Sequence, residues 1–520
     1  MLRSALPAAR LLPFLTALVL ATPALAGHLY VDSTHGLDTN PGTSPALPFK
    51  HIFKALQVGG TSNDVVHLAP GEYSAATGEH FPLALGATRL TGDEGPAVTF
   101  ILGTGNDILL DAVKPAGVTA KLDIDGLSLV GGRTGLRVNS PSGIYQVTLQ
   151  DVSFDGMSQD GVEAHAIPSG AGSQLNLGLF RGTISHCLRG LTFQISSPTM
   201  KSVLALGSID FVDNTIALNG ESAGDVIATT TSCRVVGNSL NGLRFLANGG
   251  SVDFNVQGCL IASNGVGIES GGLGGTSTLD VRYCTIADNG VGLTTSSFPT
   301  PPVASSIDGS ILWNNGDDVA LGGPMAATFT DVSDGDFGGR DGNLSVDPQF
   351  RDEPAGDYRL SWGSPMIEAA GPRQAIDLVG TFRPTDGDLD VTADNDLGCL
   401  EFAPLDMISP AAVPSIPALP LGGTLRLEAW GPAGATAVLF VTPSKPIPQP
   451  TKFGVLWLDL AFFFPLAVLP VGPTTPGVFE ATVPNDPELF GSIPVLQTLT
   501  TSPIAPKGKA LSNMTIFSIE

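Results

Sequence analysis

The chain has 520 residues and carries 25 Lys and Arg against 49 Asp and Glu, a formal net charge of −24 at pH 7. A surface this acidic repels phosphate backbones and anionic membranes, so the charge excludes nucleic acid as a partner. The length exceeds one ordinary compact core, and 64 glycines with 7% aromatic residues suit short strands joined by tight turns. We therefore expect an elongated all-β protein.

Residues 1–26 have the features of an export signal. A basic start is followed by an apolar run from Leu11 to Leu20 and by the small-residue cleavage site Ala24-Leu25-Ala26. The residue directly after the predicted cut is Gly27 and not a cysteine, which argues against a lipid anchor. The predicted mature chain begins at Gly27 and is secreted, periplasmic or held at the cell surface.

Residues 27–64 are predicted to form an N-terminal cap made of a strand and a helix. "YVDS" alternates like a strand, and "FKHIFKALQ" predicts a short amphipathic helix with Ile52, Phe53 and Leu56 on one face. A stack of strands with open ends would expose unpaired edges and polymerise, so we expect covers at both ends.

A repeat of about 25 residues occupies the middle of the chain. A small residue followed by an aliphatic one recurs at Gly135-Leu136, Gly161-Val162, Gly190-Leu191, Ala217-Leu218, Gly242-Leu243, Gly267-Ile268 and Gly292-Leu293, with a degenerate copy at Asp318-Val319. Such a period indicates stacked units, each too thin to bury its own apolar side. The runs within each unit are short and alternating, which is typical of strands. The repeat predicts a parallel β-helix whose coils occupy residues 65–345.

Two columns of identical side chains are expected to run through the stack. Each inward-turned asparagine would donate to the amide of the next coil, in a ladder of Asn238, Asn264, Asn289 and Asn314. The alternative is four unrelated turn asparagines. The second column consists of Cys233, Cys259 and Cys284, which we interpret as buried, unpaired thiols and not as a metal site or disulfides. The Cβ atoms of side chains on adjacent coils lie about 4.8 Å apart, farther than a disulfide requires, and the residues around these cysteines are apolar.

Segments at both ends of this region carry a resemblance to a known family. They are "LYVDSTHGLDTNPGTSPALPFKHIFKALQ", "APGEYS", "VDPQF", "DYRLSWGSPMIEAAG", "RPTDGDLD" and "DLGCLEF". Between Leu29 and Phe402 the chain resembles secreted bacterial right-handed β-helix proteins related to the pectin-lyase-like superfamily, although Cys399 stands where the familiar form has alanine. The resemblance implies right-handed coils and a closing segment at 346–402. It does not decide activity, because that family mixes enzymes with members of no known activity.

The composition of the sequence changes after the closing segment. Residues 403–422 are predicted to be a linker, and residues 423–520 predict a small all-β sandwich of apolar strands separated by Pro and Gly turns. "GVLWLD" and "VPNDPELFGSIPVLQ" are similar to a C-terminal module of exported proteins from planctomycete-type bacteria. Residues 453–472 are apolar, but an aspartate and two prolines interrupt them, so no transmembrane span is expected.

One patch on neighbouring coils contains the residue types of polysaccharide chemistry. A lyase needs a base beside a neutralised carboxylate, and a hydrolase needs two carboxylates at a defined separation. The candidate catalytic residues are Asp155, Asp160, Glu163, His165, Arg181, His186 and Arg189. The known polygalacturonase and pectate lyase signatures are absent from the sequence, and a solvated repeat surface would also be rich in acids.

The acidic run "DGDLDVTADND" is the candidate metal site. Alternating carboxylates favour a hard cation, and a structural Ca²⁺ would be bound by Asp386, Asp388, Asp390, Asp394 and Asp396. The run is not an EF-hand loop, because Val391 and Leu397 stand where glycine and the closing glutamate belong. The alternative is a solvated turn. No other cofactor is predicted.

The sequence favours an exported, non-catalytic β-helix protein of surface structure or extracellular glycan recognition. The alternative is a polysaccharide lyase or glycoside hydrolase that uses the Asp155–Arg189 patch. The expected partner is an extracellular polysaccharide or a cell-surface component, and the chain is expected to be a monomer.

Overall fold

The fold is known from a computed structural model that describes residues 27–59, 64–114, 119–140, 143–167, 173–298, 304–370, 375–407, 418–443, 448–505 and 507–519. The predicted signal peptide, 1–26, and half of the predicted linker, 408–417, lie outside the described residues. In the part of the chain that is described, no helix is long and apolar enough to cross a membrane.

Two long parallel sheets run side by side and confirm the predicted β-helix. Sheet 1 consists of His28–Val31, Val65–Leu68, Gly71–Ser74, Arg89–Gly92, Thr99–Leu102, Ala120–Val130, Ile144–Asp155, Gln174–Ser185, Lys201–Val212, Asp225–Thr231, Arg234–Val236, Ser251–Gln257, Leu260–Ala262, Thr276–Arg282, Thr285–Ala287, Ser305–Asp308, Ile311–Trp313, Met325–Thr328 and Asp331–Val332. Sheet 2 consists of Leu83–Leu85, Ile108–Val113, Thr134–Ser140, Asp160–Ala166, Arg189–Ile195, Ile216–Ser222, Asn241–Ala247, Val266–Leu273, Val291–Phe298 and Val319–Leu321.

The aliphatic residues of the sequence repeat form one column of sheet 2. They pair residue by residue in the order Leu136, Val162, Leu191, Leu218, Leu243, Ile268, Leu293 and Val319. All are buried in the continuous core between the sheets. Burying one such side chain contributes about 1.5–3 kcal/mol. The repeat is therefore the pairing register of the coils.

A single left-handed residue bends each coil of sheet 1 between two straight strand segments. These residues have φ between 50° and 68° and are Gly126, Asp151, Arg181, Ser208, Ser232, Gly258, Tyr283 and Gly309. A non-glycine residue at such φ costs about 1–2 kcal/mol, so five of these eight positions carry the strain and the three glycines do not. The bend divides the outer surface into separate strips, which determines where polar side chains can meet.

The helix Ile52–Gly59 caps the N-terminal end as predicted. Ile52 is buried, and Phe53 and Leu56 pack against the core. The free N–H groups at the start of this helix are satisfied from outside it, because the carboxylate of Glu79 accepts from Ile52 N at 2.6 Å and from Phe53 N at 3.2 Å.

An asparagine ladder runs through the corner that precedes sheet 2. The Nδ2 of Asn214 donates to Asn238 Oδ1 at 3.1 Å, Asn238 to Asn264 at 2.8 Å, and Asn264 to Asn289 at 2.9 Å. Cys187 N donates to Asn214 Oδ1 at 3.0 Å, so the ladder begins one coil before the predicted members.

The prediction of Asn314 as a ladder member is wrong. The coil after Asn289 is one residue longer, and Asn289 Nδ2 donates to Asn315 Oδ1 at 2.9 Å. Asn314 occupies the preceding left-handed position, with φ 55°, and its side chain points outward to Asp288 Oδ1 at 2.6 Å. Asp318 ends the ladder by accepting from Asn315 Nδ2 at 2.8 Å.

Cys233, Cys259 and Cys284 stack on adjacent coils as predicted. All five cysteines of the chain are buried and free. Cys233 N lies 3.4 Å from Cys259 Sγ, and Cys259 N lies 3.5 Å from Cys284 Sγ. Burial raises the pKa of Cys259, which keeps this thiol protonated. Cys187 and Cys399, whose disulfide status the sequence left open, are thiols as well.

The segment 346–402 lies along the outer face of the last coils. Tyr358, Leu378 and Leu400 pack on Leu260 and on neighbouring residues of sheet 1. Its short elements are Phe350–Asp352 paired with Asp357–Leu360, Ala375–Ile376 paired with Phe382–Arg383, and the 3-10 turn Glu353–Ala355.

Small sheets, most of them antiparallel, form the C-terminal part. One contains Leu405–Met407, Thr424–Ala429 and Gly477–Thr482, and another contains Ala435–Thr442, Phe464–Val471, Val495–Thr501, Lys509–Leu511 and Thr515–Ile516. Two-stranded pairs join Gln449–Thr451 to Gly454–Leu456 and, in parallel, Ala418–Leu419 to Ser518–Ile519; a 3-10 turn spans Pro487–Leu489. They enclose a separate apolar core that includes Leu427, Leu439 and Leu496.

Candidate functional site

The seven predicted catalytic residues do not form one cluster. Arg181 makes a bidentate ion pair with Asp151, at 2.9 Å for each bond, on the bend of sheet 1. Asp155 is bound by His186 Nδ1 at 2.6 Å on the next corner of the coil. Burial alone would raise the pKa of Asp155, but the hydrogen bonds from His186 and Ser185 lower it overall. Both pairs are largely exposed ion pairs on separate strips of the surface.

Asp160 and Arg189 form the third pair, in which the carboxylate is buried and the arginine is half-buried. Both Arg189 Nε and Nη2 donate to the Asp160 carboxylate at 2.7 Å, and Thr192 Oγ1 donates to it at 2.6 Å. Asp160 has no exposed surface. The pKa of Arg189 is raised by its hydrogen bond to Asp160. A carboxylate held this way has no lone pair directed at solvent, so its chemistry is that of a structural ion pair.

Glu163 and His165 lie on the outward face of sheet 2, where they belong to two polar columns. His165 Nε2 is 3.8 Å from Glu163 Oε1, too long for a hydrogen bond. The first column, one residue after the buried aliphatic column, contains Asp111, Arg137, Glu163, Thr192, Asn219, Arg244, Glu269 and Thr294. The second, two residues further on, contains Asn139, His165, Gln194, Glu221, Leu246, Gly271 and Ser296.

Neighbouring coils hold these planar groups in place. Arg137 makes two bonds to Asp111, at 3.0 and 2.6 Å, and Arg244 lies 3.1 Å from Glu221 and 3.4 Å from Glu269. The pKa of Arg137 is raised by its hydrogen bond to Asp111. Each such side chain is half-buried, so its polar edge remains available while its rotamer is fixed. This face, from Asp111 to Thr294 with its second column, is the sheet 2 polar face.

The acidic run of the closing segment divides between two sites. Carboxylate oxygens of Asp386 and Asp388 come within 4.8 Å of one another and of Glu368, a residue that the sequence interpretation missed. Burial raises the pKa of Glu368 to about 8 and that of Asp386 to about 7, and neighbouring carboxylates add to both shifts. The pKa of Asp388 is raised by burial and by Asp390. These three groups could bind a hard cation.

Asp390, Asp394 and Asp396 are not part of that group of three. Asp390 folds the loop through its backbone N–H, which donates to Asp386 and Asp388 at 3.0 Å each. Asp396 is fully buried on another side of the segment, where its carboxylate accepts from Glu368 N at 2.8 Å and from Phe402 N. The five-aspartate metal site is therefore reduced to Asp386 and Asp388 with Glu368 added.

Asp396 belongs to a buried charge network. Arg383 Nε lies 3.3 Å from Glu401 Oε2, and Glu401 N donates to Asp377 at 3.0 Å. Burial raises the pKa of Asp377 to about 6 and that of Glu401 to about 7, although Arg383 opposes both shifts. One arginine faces three carboxyls, so the network favours protonated acids and serves to hold the closing segment together.

A cavity of about 140 Å³ lies between the closing segment and the C-terminal sheets. Its walls include Asp386, Val391, Trp457 and Leu511, so one edge is the Asp386 carboxyl group and most of the lining is apolar. The volume suits several water molecules or one small ring, and it is too small for a polymer.

The sheet 2 polar face was recoverable from the sequence and was missed. Its first column is the position directly after each repeated aliphatic residue, as in Leu136-Arg137 and Leu243-Arg244. The predicted catalytic residues are acids and bases that lie close together on two neighbouring coils, whereas the polar columns are visible only when the sequences of all coils are aligned. Glu368 had no such signal, because it lies 18 residues before Asp386 in an irregular segment.

Comparisons with known proteins give one family and several structural likenesses. A family model described as "Protein of unknown function (DUF1565)" matches residues 34–300. Among solved structures, the chain is similar to the A-module of the mannuronan C-5 epimerase AlgE6 from Azotobacter vinelandii, with 19% identity, 57% of this chain and 94% of that chain covered, and a TM-score of 0.32. It is also similar to tailspike protein 2 of Escherichia coli O157:H7 bacteriophage CAB120, with 12% identity, 95% and 68% covered, and a TM-score of 0.32. A GH136 lacto-N-biosidase from Eubacterium ramulus gives 11% identity, 58% and 68% covered, and a TM-score of 0.22. No curated protein matches the chain.

Proposed function

The chain belongs to the family described as protein of unknown function DUF1565, and on that premise we propose that it is an exported, non-catalytic β-helix protein that binds an extracellular glycan along the sheet 2 polar face. The observation that carries the proposal is the pair of outward columns, which offer at least one planar polar side chain on each coil from Asp111 to Glu269. Export rests on the signal sequence and on the resemblance of residues 423–520 to a module of exported bacterial proteins.

The spacing of the columns suits an extended polysaccharide. Paired strands lie about 4.8 Å apart, so one coil advances the surface by a distance comparable to one sugar ring in an extended chain. Arginine, asparagine, glutamine and carboxylate side chains present paired donors or acceptors that match vicinal hydroxyl groups. Because ion pairs such as Arg137–Asp111 already fix the rotamers, little side-chain entropy would be lost on binding.

The charge of the face favours a neutral glycan over a polyuronate. The two columns contain four acidic side chains, Asp111, Glu163, Glu221 and Glu269, and two arginines, Arg137 and Arg244. Both arginines are paired with carboxylates of the face itself. A polyanion would therefore meet net negative charge here, as it would over the rest of the molecule.

The ion pairing of five of the seven candidate catalytic residues, all except Glu163 and His165, supports a binding role. A general base needs a free lone pair within hydrogen-bond reach of substrate, and a nucleophile needs an adjacent base. In the described part of the chain, Asp155, Asp160 and Arg181 are each engaged by a partner of opposite charge. These pairs are separated by the bends of the coil and do not converge on one point.

Binding is tested by titrating the full-length mature chain with soluble neutral polysaccharides and polyuronates, with calcium and with chelator. We expect a neutral polysaccharide to bind and Arg244→Ala to weaken it by about tenfold, the loss of one charge-assisted contact. Arg282→Ala is the matched control, because Arg282 is an ion-paired arginine on sheet 1, away from the polar face.

Catalysis is tested on the same samples by product analysis. A lyase would release unsaturated products that absorb in the ultraviolet, and a hydrolase would release reducing ends. Binding without either product supports the proposal. Release of either product by the unmodified chain overturns the non-catalytic assignment, and equal losses of binding in Arg244→Ala and Arg282→Ala overturn the location.

A further inference from the structure

The outer surface of sheet 1 contains an area without charge. On four adjacent coils, alternate residues of 146–150, 176–180, 203–207 and 227–231 point outward, and the strand register stacks them in three columns. The three outward residues of each of these four coils are all uncharged, although the chain as a whole contains 49 Asp and Glu. This area is the sheet 1 neutral face.

Charged side chains border the sheet 1 neutral face on three sides. The preceding coil places Lys121, Asp123 and Asp125 in the same three columns, and the following coil places Asp253 in one of them. At the bend of the coil the face ends at Arg181, which is ion-paired. The aspartates of the border repel a polyanion, and the face itself offers a cation no carboxylate. The charge distribution therefore favours an uncharged partner.

The ring of Phe180 lies along the sheet on this face. A Cβ atom on Gly178 would come within 2.7 Å of Phe180 Cε2, and one on Gly207 would come within 3.0 Å of Phe180 Cδ1. Opposite edges of the ring thus rest over two glycines, one on its own strand and one directly opposite on the next coil. Because the residue is 36% exposed, one face of the ring is turned to solvent. The two glycines provide the room that lets the ring lie flat.

Apolar and polar groups surround the ring in the arrangement of a carbohydrate contact. Val203 and Ile227 are exposed apolar side chains that pair in register on the next two coils. Gln150 lies opposite Phe180 on the preceding coil and supplies an amide. Asn176 Oδ1 has no hydrogen-bond donor among the described residues, so this amide can turn toward a ligand without losing a bond to its oxygen.

We propose that the sheet 1 neutral face binds the flat surface of an uncharged, insoluble polysaccharide. A β-linked pyranose with equatorial hydroxyl groups has C–H groups on its faces and hydroxyls at its rim, so its face can lie on Phe180 while its rim meets the neighbouring amides. The site differs in place and in chemistry from the sheet 2 polar face and does not depend on it.

The flatness of the face favours packed chains over a single soluble chain. Four coils at about 4.8 Å and five residues at about 3.3 Å give an area of roughly 14 by 13 Å, enough for two or three sugar rings. Such an area has no walls and covers only one side of a ligand, whereas good pockets for free ligands enclose most of the ligand surface. The planar surface of packed chains matches it without any further enclosure.

The test is adsorption of the full-length mature chain to microcrystalline cellulose, measured as depletion of protein from solution. We expect saturable adsorption that changes by less than about twofold between roughly 50 and 500 mM NaCl, because neither surface is charged. Phe180→Ala should weaken adsorption by on the order of tenfold, and Phe180→Tyr should retain it because the ring face is kept. Phe490→Ala is the matched control, since Phe490 is an exposed phenylalanine of the C-terminal part.

A second variant keeps the ring and changes only the charge. Thr229→Asp introduces a carboxylate between Ala205 and Asn255 of the neighbouring coils, and it should weaken adsorption by a similar factor. Circular dichroism of each variant shows whether the coils are intact, so a loss of adsorption with an unchanged spectrum is assigned to the face.

Three results would overturn the proposal. Adsorption of Phe180→Ala equal to that of the unmodified chain, or an equal loss in Phe490→Ala, would contradict the location. No adsorption of the unmodified chain would contradict the ligand class; the titration with soluble polysaccharides reports on the sheet 2 polar face, so the two proposals can fail separately. A dimer in analytical ultracentrifugation that Phe180→Ala dissociates would assign the face to a second copy of the chain.

Discussion

Asn315 Oδ1 accepts hydrogen bonds from both the side-chain amide and the backbone N–H of Asn289, at 2.9 and 3.0 Å. The same two hydrogen bonds, from the side-chain amide and the backbone N–H to one amide oxygen, join Asn264 to Asn289 and Asn238 to Asn264. Each oxygen therefore satisfies two buried donors of the preceding coil, one of which belongs to the backbone. The ladder fixes the corner that presents the sheet 2 polar face, because a sheet 2 strand begins two to four residues after each ladder asparagine, as at Val266 after Asn264.

Replacing Asn264 by alanine should destabilise the chain by about 2–4 kcal/mol. The substitution leaves the backbone N–H of Asn238 buried without an acceptor, which costs about 1–3 kcal/mol. It also removes the hydrogen bonds that Asn264 Nδ2 donates to the carbonyls of Val235 and Ala262. Urea unfolding followed by circular dichroism measures the effect. Asn314→Gly is the control, because glycine keeps the left-handed backbone and only a surface contact is lost; we expect a change below about 1 kcal/mol. A cost in Asn314→Gly as large as in Asn264→Ala would contradict the register.

The architecture was predictable because it is repeated. Eight copies of one small-aliphatic pair define the coil period, and parallel pairing then fixes which residues stack. The error at Asn314 has the same origin, since extending a 25-residue period by one more coil ignores a single added residue. Only the three-dimensional register distinguishes Asn314 from Asn315.

The candidate site was harder to predict because its parts are not periodic. The ion pairs Asp155–His186 and Asp160–Arg189 join the same two neighbouring coils, and their residues are only a few positions apart in the sequence. The bends of the coil nevertheless place the two pairs on different strips of the outer surface. Asp386 and Glu368 meet in an irregular segment whose path no pattern encodes. Pairing partners such as Asp151 with Arg181 depend on the residue that takes the left-handed bend.

Loss of the Asp160–Arg189 ion pair should lower the free energy of unfolding, and loss of the exposed Asp151–Arg181 ion pair should have little effect on it. Asp160→Ala removes the buried carboxylate that accepts from Arg189 and from the buried Thr192 hydroxyl, and because the Arg189 side chain is 34% exposed we expect a cost of about 1–3 kcal/mol. Asp151→Ala breaks an equally bidentate pair whose members are 36% and 49% exposed, and we expect a loss below about 1 kcal/mol. Chemical denaturation of both variants makes the comparison, and equal losses would contradict the assignment of Asp160 to the fold.

Stability should fall as pH rises from about 4 to 8 in chelator. A carboxyl whose pKa is higher in the folded chain binds its proton more tightly when folded, so it stabilises the fold below its unfolded pKa of about 4 and loses that contribution as pH rises through the folded value. The folded values are about 6 for Asp377, about 7 for Asp386 and about 8 for Glu368. Thermal unfolding across this range tests the direction.

Two glutamine variants identify the source of that slope. Glu368→Gln should flatten the decline between pH 6 and 9, because it removes the carboxyl whose pKa of about 8 lies highest in the group. Glu480→Gln should leave the slope unchanged, since Glu480 is an exposed strand residue paired with Arg426. A profile that rises with pH over this range would contradict the raised pKa values.

Calcium should raise the melting temperature at pH 8 if Glu368, Asp386 and Asp388 bind it, as we propose from their carboxylate geometry. A ligand that binds only the folded chain adds about 2.7 kcal/mol at 100 times its dissociation constant. Asp386→Asn should abolish the shift and Asp394→Asn should retain it, because Asp394 is a half-buried aspartate of the same loop that lies outside the group of three. Bound calcium neutralises the three carboxylates, so it should also remove the loss of stability between pH 6 and 8. Equal shifts in the two variants would mean that calcium binds elsewhere, and no shift in the unmodified chain would mean that the group works as a proton-binding cluster alone.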